Sequence, residues 1–363
     1  MRGLYVHIPF CRSKCGYCDF ASAAGQEDRI DDYLAALARE ASAYSGLAGS
    51  FGTLYIGGGT PSLLSAAQLE KLFAALAPLT GPVAGLAEST FEANPESLDA
   101  HKAALLKSAG LNRISLGLQA WQDALLKKLG RIAMNSDFLK AYRALRAAGF
   151  ANISADLMCG LPGQSLADFT LSLERLLDLK PEHVSLYALE VHENTPFGAA
   201  GVKEAPEEAA AMYEAAAGLL KRAGLPRYEI SNFARPGRAS AHNLNYWDQG
   251  EYLGLGAAAA SYLGGERRAN TADTAAYARA AISGAEIPLQ YRETLSGRAI
   301  RAEKLMLGLR KTAGIELQDD IIIEFKEETR RLLAAGLVEM NGRTLRIKED
   351  RLYVSNAVFR EFV

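Results

Sequence analysis

Three cysteines near the start of the chain have a spacing that suits metal or cluster ligation. Cys11, Cys15 and Cys18 form a CxxxCxxC pattern in the segment YVHIPFCRSKCGYCDF, and position 20, where a fourth close thiolate would stand, is Phe. Iron–sulfur clusters commonly use four thiolates. Three thiolates satisfy three irons of a 4Fe-4S cubane and leave the fourth open to an external chelator, as catalytic metal sites keep an open position. Zinc with a histidine such as His7 is the alternative, without the paired second half of a usual zinc motif.

A CxxxCxxC motif directly after a first strand resembles the radical S-adenosylmethionine (SAM) superfamily. In that superfamily the amino and carboxylate groups of SAM chelate the open iron, and an electron from the cluster cleaves SAM to a 5′-deoxyadenosyl radical. The resemblance therefore implies a 4Fe-4S cluster and SAM as cofactors. The protein's task would be to orient the cofactor and to exclude side reactions.

A glycine-rich turn and a set of side chains at strand ends match the SAM site of the superfamily. The turn IGGGTP follows the second predicted strand, and glycine lets a backbone approach a ligand closely. The residues that match cofactor-binding positions of the family are Tyr5, Tyr17, Gly58, Gly59, Thr60, Glu92, Gln119, Arg131, Asp156 and Ala188. A carboxylate accepts hydrogen bonds from ammonium or hydroxyl groups, and an arginine forks onto a carboxylate. Any one of these polar residues alone could instead be a cap or a surface ion pair.

Motifs along nearly the whole chain resemble the HemW and HemN group, the oxygen-independent coproporphyrinogen oxidase-like radical SAM proteins. They include IGGGTPSLLS, EANPES, NRISLGLQ, GLPGQS and YEISNFARPG. The decarboxylases of this group read CxxxCxxCxC, whereas this chain has Asp19 and Phe20 after Cys18. The segment HNLNYW, from His242 to Trp247, matches the HNxxYW motif of the HemW-type haem chaperones. The resemblance therefore favours the HemW type.

The HNLNYW segment supplies the candidate haem contacts. An imidazole can ligate haem iron, so His242 is the candidate haem ligand. Tyr and Trp offer flat apolar faces with polar tips. The alternative is that His242 and Asn243 hydrogen-bond a turn, while Tyr246 and Trp247 pack a domain junction.

The resemblance implies a haem chaperone that binds a 4Fe-4S cluster, SAM and haem and transfers haem to an acceptor protein. The alternative is a radical SAM enzyme that acts on a tetrapyrrole, by coproporphyrinogen III decarboxylation or by SAM-dependent methyl transfer. An iron–sulfur structural module without SAM chemistry is disfavoured by the polar set at the strand ends. Ala133 and Ala260 stand where family members often have His, which predicts weaker binding if either imidazole contacts the ligand. The expected partners are haem or a related tetrapyrrole, a haem-acceptor protein and an electron donor such as a flavodoxin-like protein.

The elements that must position these residues alternate between strands and helices. Short β-branched or aromatic runs predict strands at 4–8, 53–56, 89–93, 113–118, 152–158 and 184–189, with a further candidate at 227–230. Ser65 with Gln68, and Ser165 with Asp168, have the spacing of helix capping boxes. Strands separated by helices predict a parallel sheet whose chemistry gathers at the carboxyl ends of the strands. The predicted fold class is α/β, a partial TIM-type (βα)6 radical SAM barrel.

The later part of the chain lacks the regular alternation of strand and helix patterns. We predict a barrel domain over residues 1–235, a connecting region with the HNxxYW motif over 236–295, and a mostly helical, winged-helix-like domain over 296–363. The connecting region is expected to be loop-rich from about Ser240 until helices return near Thr271. The run GLVEMNGRTLRIKED predicts a hairpin in this last domain. Cys159 stands alone, and we interpret it as a buried apolar residue rather than a ligand or nucleophile.

Composition excludes several classes of protein. The 40 basic and 42 acidic residues give a net charge of −2, so the chain has no overall bias toward nucleic acid or anionic membranes. No stretch approaches the roughly 18 apolar residues of a membrane span. The start of the chain lacks a secretory signal pattern, and clustered cysteines suit a reducing compartment, so the cytoplasm is the expected location.

Overall fold

In the computed structural model, which describes residues 1–362, the first part of the chain alternates strands with helices. The strands are β1 (Arg2–Ile8), β2 (Phe10–Cys11), β3 (Ala23–Ala24), β4 (Phe51–Gly58), β5 (Glu88–Ala93), β6 (Arg113–Gln119), β7 (Ile153–Cys159) and β8 (His183–Ala188). The helices are α1 (Ile30–Ala43), α2 (Ala66–Thr80), α3 (Ala100–Ser108), α4 (Asp123–Lys128), α5 (Asn135–Ala147), α6 (Leu166–Asp178), α7 (Pro196–Ala199) and α8 (Pro206–Arg222). The strands predicted between residues 4 and 189 all overlap long strands of this list.

The long strands form a parallel sheet in chain order, from β1 through β4, β5, β6 and β7 to β8. Both faces of these strands are covered, which explains their nearly continuous apolar sequences. The helices between them bury one face each on the sheet. As predicted, α2 begins with a capping box of Ser65 and Gln68, and α6 begins with one of Ser165 and Asp168. The parallel order brings the loops after the strands to one end of the barrel, which confirms the predicted fold class.

The region that follows extends the sheet in both directions. Its elements are β9 (Arg227–Glu229), β10 (Asn232–Ala234), α9 (Ala241–Trp247), β11 (Tyr252–Leu255), β12 (Ala260–Leu263), β13 (Glu266–Asn270), α10 (Thr274–Ser283) and β14 (Leu289–Thr294). The candidate strand at 227–230 forms, but it pairs antiparallel with β10, which pairs antiparallel with β8. On the other side β11 pairs parallel with β1, and β12, β13 and β14 add antiparallel strands. Within residues 1–362 the sheet thus contains twelve strands.

The predicted loop-rich stretch after about Ser240 instead contains a helix and short strands, although a helix does return near Thr271, at Thr274. The strands there are short, glycine-interrupted or strongly charged, as in ERRAN of β13, so they lack the apolar runs that marked the barrel strands. They are stable because each pairs with a neighbour in the sheet. The predicted domain division at residue 235 stays a prediction, since the main sheet continues to Thr294.

The last part of the chain packs around a separate small core. Its elements are α11 (Gly297–Gly308), β15 (Ile315–Glu316), α12 (Asp319–Glu324), α13 (Lys326–Ala334), β16 (Val338–Asn341), β17 (Thr344–Ile347) and α14 (Ser355–Phe359). The predicted hairpin is formed by β16 and β17, and β15 pairs with β17 to complete a small sheet. Leu305, Phe325 and Leu345 are fully buried in this core. None of the helices in residues 1–362 combines the length and the apolar character needed to cross a bilayer.

Candidate functional site

A cavity of about 700 Å³ lies at the carboxyl ends of the parallel strands. Its volume falls within the range of small-molecule sites, which is roughly 300–1,000 Å³. Among the predicted site residues, its lining includes Cys11, Cys15, Tyr17, Cys18, Gly58, Gly59, Thr60, Glu92, Gln119, Arg131, Asp156 and Ala188. The structure therefore brings the predicted cluster ligands and most of the predicted SAM contacts to one cavity, which we call the cluster cavity.

The cysteine loop is held at both ends. β2, which contains Cys11, pairs with β3 beyond the loop, and this pairing fixes where the loop leaves and rejoins the barrel. Cys11 is buried, whereas Cys15 and Cys18 are half-buried, and all three are free thiols. Burial raises the pKa of the Cys18 thiol, so binding of a metal centre there must be coupled to loss of its proton. Among residues 1–362, no three His, Cys, Asp or Glu side chains converge as ligands of one metal ion do.

The glycine-rich turn after β4 packs directly on the cysteine loop. Gly59 donates its N–H to the Ile8 carbonyl at 2.9 Å, and Thr60 donates its N–H to the Phe10 carbonyl at 2.8 Å. A Cβ atom on Gly59 would stand 2.9 Å from the Cys11 sulfur and 2.8 Å from the Phe10 oxygen. Only glycine therefore fits at position 59, and the turn shapes a close cradle beside one predicted cluster ligand.

Glu92 lies at the end of β5 and closes the other side of this turn. Its carboxylate accepts hydrogen bonds from the Tyr55 hydroxyl at 2.6 Å and from the Gly58 N–H at 3.1 Å. Burial raises the pKa of Glu92 to about 7. Because a nearby cation favours the ionised form of a carboxyl, this position suits a positively charged ligand group.

Gln119, Arg131 and Asp156 come together at the ends of β6 and β7. Gln119 has a φ of 68° at a register shift between β6 and β7, and a left-handed backbone at a residue other than glycine is strained. The Arg131 guanidinium donates to Asn94 Oδ1 at 3.1 Å and to the Gly117 carbonyl at 3.3 Å. Burial raises the pKa of Asp156, whose carboxylate accepts from the Ser115 hydroxyl at 3.2 Å.

A second cavity of about 590 Å³ adjoins the cluster cavity. Gly58, Glu92 and Phe20 line both cavities. The remaining lining is largely aromatic or apolar and includes Tyr5, His7, Tyr246, Trp247, Tyr252, Ala258, Ala260, Tyr262 and Leu307, with Arg267 and Glu303 as a charged pair. We call this space the aromatic cavity. Tyr5, a predicted SAM contact, lines the aromatic cavity but not the cluster cavity, whereas Gly58 and Glu92 line both.

In the structure, both ring nitrogens of His242, the candidate haem ligand, are hydrogen-bonded to neighbouring side chains. The side chain is 1% exposed and lines neither cavity. Nδ1 is hydrogen-bonded to the Thr53 hydroxyl and Nε2 to the Tyr246 hydroxyl, each at 2.8 Å. The imidazole lies in a helix rather than a turn, and it holds Tyr246 in the wall of the aromatic cavity. His242 would have to lose both bonds before it could ligate iron.

The burial of His242 predicts a measurable pH dependence of stability. Burial lowers its pKa to about 3, against roughly 6.5 in the unfolded chain. Between these values the unfolded state binds more protons, so the free energy of unfolding falls as the pH drops below about 6.5. We expect His242 to contribute a loss of about 2 kcal/mol between about pH 8 and about pH 5.

Urea unfolding of wild type and His242→Gln at both pH values checks this expectation. Glutamine can retain hydrogen bonds to Thr53 and Tyr246 but does not titrate. The difference between the two proteins isolates His242 from other titrating groups, including the buried His183, whose pKa is also lowered by burial. Equal pH dependence in the two proteins would contradict the prediction.

Sequence reasoning did not identify several residues that line these cavities or hold the elements around them. Asn94, in the EANPES motif, contacts both Arg131 and Thr60. Glu88 holds the start of α9, and Tyr252 and Tyr262 come from strands that were not predicted. The strand-end position of Asn94 was the available signal, whereas the contacts of Glu88 span more than 150 residues. Cys159 is fully buried in β7, and burial raises its thiol pKa to about 12, which fits the interpretation as an apolar core residue.

Comparison with known proteins agrees with this geometry. The model of the radical SAM superfamily matches residues 5–176. Heme chaperone HemW of Bacillus subtilis (strain 168) is 41% identical over 324 residues, which cover 87% of this chain and 85% of the relative. Heme chaperone HemW of Lactococcus lactis subsp. lactis (strain IL1403) is 38% identical over 372 residues, with coverage of 99% and 96%.

A solved structure has the same fold along the whole chain. Coproporphyrinogen III oxidase (HemN) from Escherichia coli, a radical SAM enzyme, superimposes with a TM-score of 0.87 at 22% identity, over 99% of this chain and 89% of that chain. At this identity the likeness concerns the fold alone. The family assignment rests on the two HemW relatives, because each is more than one third identical over most of this chain and most of its own length. The chain belongs to the HemW family of the radical SAM superfamily.

Proposed function

We propose that this protein is a haem chaperone whose radical SAM core holds a 4Fe-4S cluster and SAM, and that it passes haem to an acceptor protein. Membership of the radical SAM superfamily implies the cluster and SAM. The function of the HemW relatives supports haem and an acceptor protein as partners. The observation that carries the proposal is the aromatic cavity, which adjoins the cluster cavity and takes part of its wall from the HNLNYW helix.

The cluster cavity has groups suited to each part of SAM. Cys11, Cys15 and Cys18 would hold three irons of the cluster and leave the fourth accessible from the cavity. Glu92 would accept hydrogen bonds from an ammonium or hydroxyl group, and the nearby positive charge would keep it ionised. Arg131 would pair with a carboxylate. When bound, the cluster supplies the electron for cleavage of SAM, while these side chains orient the cofactor.

Other contacts of the cluster cavity support the same assignment. Gly58, Gly59 and Thr60 form the backbone cradle beside the cluster loop, while Tyr17 and Ala188 line the space near it. Gln119 and Asp156 lie at adjacent strand ends and offer an amide and a carboxyl group. Polar groups at neighbouring strand ends are the usual way in which barrels of this kind bind a ligand.

The aromatic cavity has the shape and chemistry for a flat, mostly apolar macrocycle. Tyrosine and tryptophan rings bury large apolar areas while their polar tips remain available. The Trp247 indole N–H is buried and finds no acceptor among the residues described, and the Arg267 guanidinium, which is paired with Glu303, offers further N–H donors at the wall. These donors suit the carboxylates of a haem. His242 acts indirectly in this proposal, because it fixes the Tyr246 hydroxyl.

Haem titration of the anaerobically prepared protein tests the proposal. We expect stoichiometric binding, and we expect Trp247→Ala to weaken it about tenfold, because truncation of a buried aromatic contact commonly costs more than 1 kcal/mol. Trp121→Ala is the matched control, since Trp121 is the other tryptophan of the chain and lines neither cavity. The measurement is the Soret absorbance as a function of haem concentration. Equal affinity in both variants would exclude the aromatic cavity as the haem site.

The second candidate is a radical SAM enzyme that acts on a tetrapyrrole. The observation in its favour is the shared wall of Gly58 and Glu92, which would place a ligand of the aromatic cavity next to the cofactor. Formation of 5′-deoxyadenosine is measured with reductant and SAM, with and without coproporphyrinogen III. Turnover that depends on the porphyrinogen would favour the enzyme, and stoichiometric haem binding without such turnover favours the chaperone.

A further inference from the structure

A chain of hydrogen bonds connects Arg131 to the cluster ligand Cys11. The Arg131 guanidinium donates to Asn94 Oδ1 at 3.1 Å, and Asn94 Nδ2 contacts Thr60 Oγ1 at 3.1 Å. Thr60 Oγ1 in turn lies 3.4 Å from the Cys11 sulfur. These residues come from separate segments: the loop after α4, the end of β5, the turn after β4, and β2. We call this series the Asn94 relay.

The direction of every bond in the relay is fixed by the chemistry of its ends. A guanidinium has only donors, so the Asn94 atom that faces Arg131 must be the carbonyl oxygen. The Asn94 NH2 group therefore faces Thr60 and donates to its hydroxyl oxygen. The Thr60 hydroxyl hydrogen is then available for the Cys11 sulfur. This sulfur, as a cluster-bound thiolate, is an acceptor.

The relay is also rigid. The Asn94 backbone N–H donates to the Ser62 hydroxyl at 2.9 Å, and its carbonyl accepts from the Ser97 hydroxyl at 3.1 Å. Thr60 is 4% exposed, and its own N–H is bonded to Phe10. Neither side chain needs to move for the hydroxyl to point at the sulfur.

We propose that Asn94 is a positioning residue that directs the Thr60 hydroxyl onto the Cys11 thiolate and thereby raises the reduction potential of the cluster. One-electron reduction adds a negative charge to the cluster and its sulfurs. A hydrogen bond donated to a ligand sulfur stabilises this added charge, and such bonds are among the determinants of cluster potentials. The inference rests on the proposed cluster at Cys11, Cys15 and Cys18, and it adds a tuning role that the family assignment does not give.

The test is a redox titration of the reconstituted protein, monitored by the EPR signal of the reduced cluster. Thr60→Val removes the hydroxyl with little change in volume. Asn94→Asp keeps an acceptor for Arg131, but the new carboxylate accepts from the Thr60 hydroxyl and turns it away from the sulfur. At a fixed potential we expect the ratio of reduced to oxidised cluster to fall about threefold to tenfold in each variant, where tenfold corresponds to about 59 mV.

Thr60→Ser is the matched control. It retains the hydroxyl, so its cluster should have the wild-type reduction potential. The EPR titration counts only assembled clusters, so a lower cluster yield in a variant does not obscure its potential. Thr60→Val with the wild-type potential would overturn the relay. Failure of the wild-type protein to assemble any cluster would instead refute the proposed function, so the two failures are distinguishable.

Discussion

Replacement of Cys11, Cys15 or Cys18 by alanine is expected to abolish the cluster and, with it, all reductive cleavage of SAM. Each cysteine supplies one of three thiolates at the cluster cavity, and a cubane that already has one open iron would be left with two protein ligands. Loss of a ligand commonly destroys a metal site rather than weakening it, because the remaining thiolates must bind at a distorted geometry. The measurements are iron and sulfide content, visible absorbance after anaerobic reconstitution, and 5′-deoxyadenosine formed with reductant and SAM.

Cys159→Ala is the control for these variants. This cysteine is the remaining one in the sequence, and it is fully buried in the barrel core and does not line the cluster cavity. Its loss should leave iron content and SAM cleavage unchanged. A normal cluster in any of the three loop variants, or its loss in Cys159→Ala, would contradict the assignment of ligands.

Glu88→Ala is expected to destabilise the protein by about 3–5 kcal/mol, as removal of one partner from a buried charged network commonly does. Glu88 is 4% exposed and accepts hydrogen bonds from Thr90 Oγ1 at 3.0 Å, Ser240 Oγ at 2.9 Å and the Ala241 N–H at 2.6 Å. It also faces the buried guanidinium of Arg113. Burial acts to lower the pKa of Arg113, but the attraction of Glu88 and other groups outweighs it and raises the pKa.

The variant should also loosen the HNLNYW helix. Glu88 anchors the segment that precedes α9, and α9 carries Tyr246 and Trp247 to the aromatic cavity. We therefore expect a lower urea midpoint together with weaker haem binding. Glu88→Gln has nearly the same size and keeps one acceptor oxygen, but it removes the charge opposite Arg113. Its loss of stability should therefore be intermediate. Wild-type stability of Glu88→Ala would show that the network contributes nothing to the fold.

The parts of the fold that the sequence predicted are those with strong local signals. The barrel strands are buried on both faces and read as apolar runs, as in LYVHI of β1, and polar caps mark the starts of α2 and α6. β13 and β14 contain no apolar run that would predict a strand. They carry charged residues instead, such as Arg267 and Glu293, which pair across the two strands. Their stability comes from neighbours in the sheet rather than from their own sequence.

The contrast between local and long-range signals also explains which features of the site could be predicted. The cysteine ligands could be predicted because their spacing is local in the sequence. The orientation of His242 could not, because one of its nitrogens is held by Thr53, a residue 189 positions away. Asn94 also depends on long-range contacts, with partners on two other loops. Residue types and spacing thus predict which chemistry is present, whereas pairing partners distant in sequence decide which atoms remain available.

The place of β1 in the sheet has a consequence for synthesis on the ribosome. One edge of β1 pairs with β4, but the other pairs with β11, where Gly3 aligns with Tyr252. At translation rates of about 5–20 residues per second, the second partner emerges on the order of tens of seconds after the first strand. During that interval the nascent chain has an uncovered backbone edge next to its cysteine loop, which is a template for aggregation. Closure of the barrel, and protection of any centre bound early to that loop, must therefore wait until about two-thirds of the protein has been made.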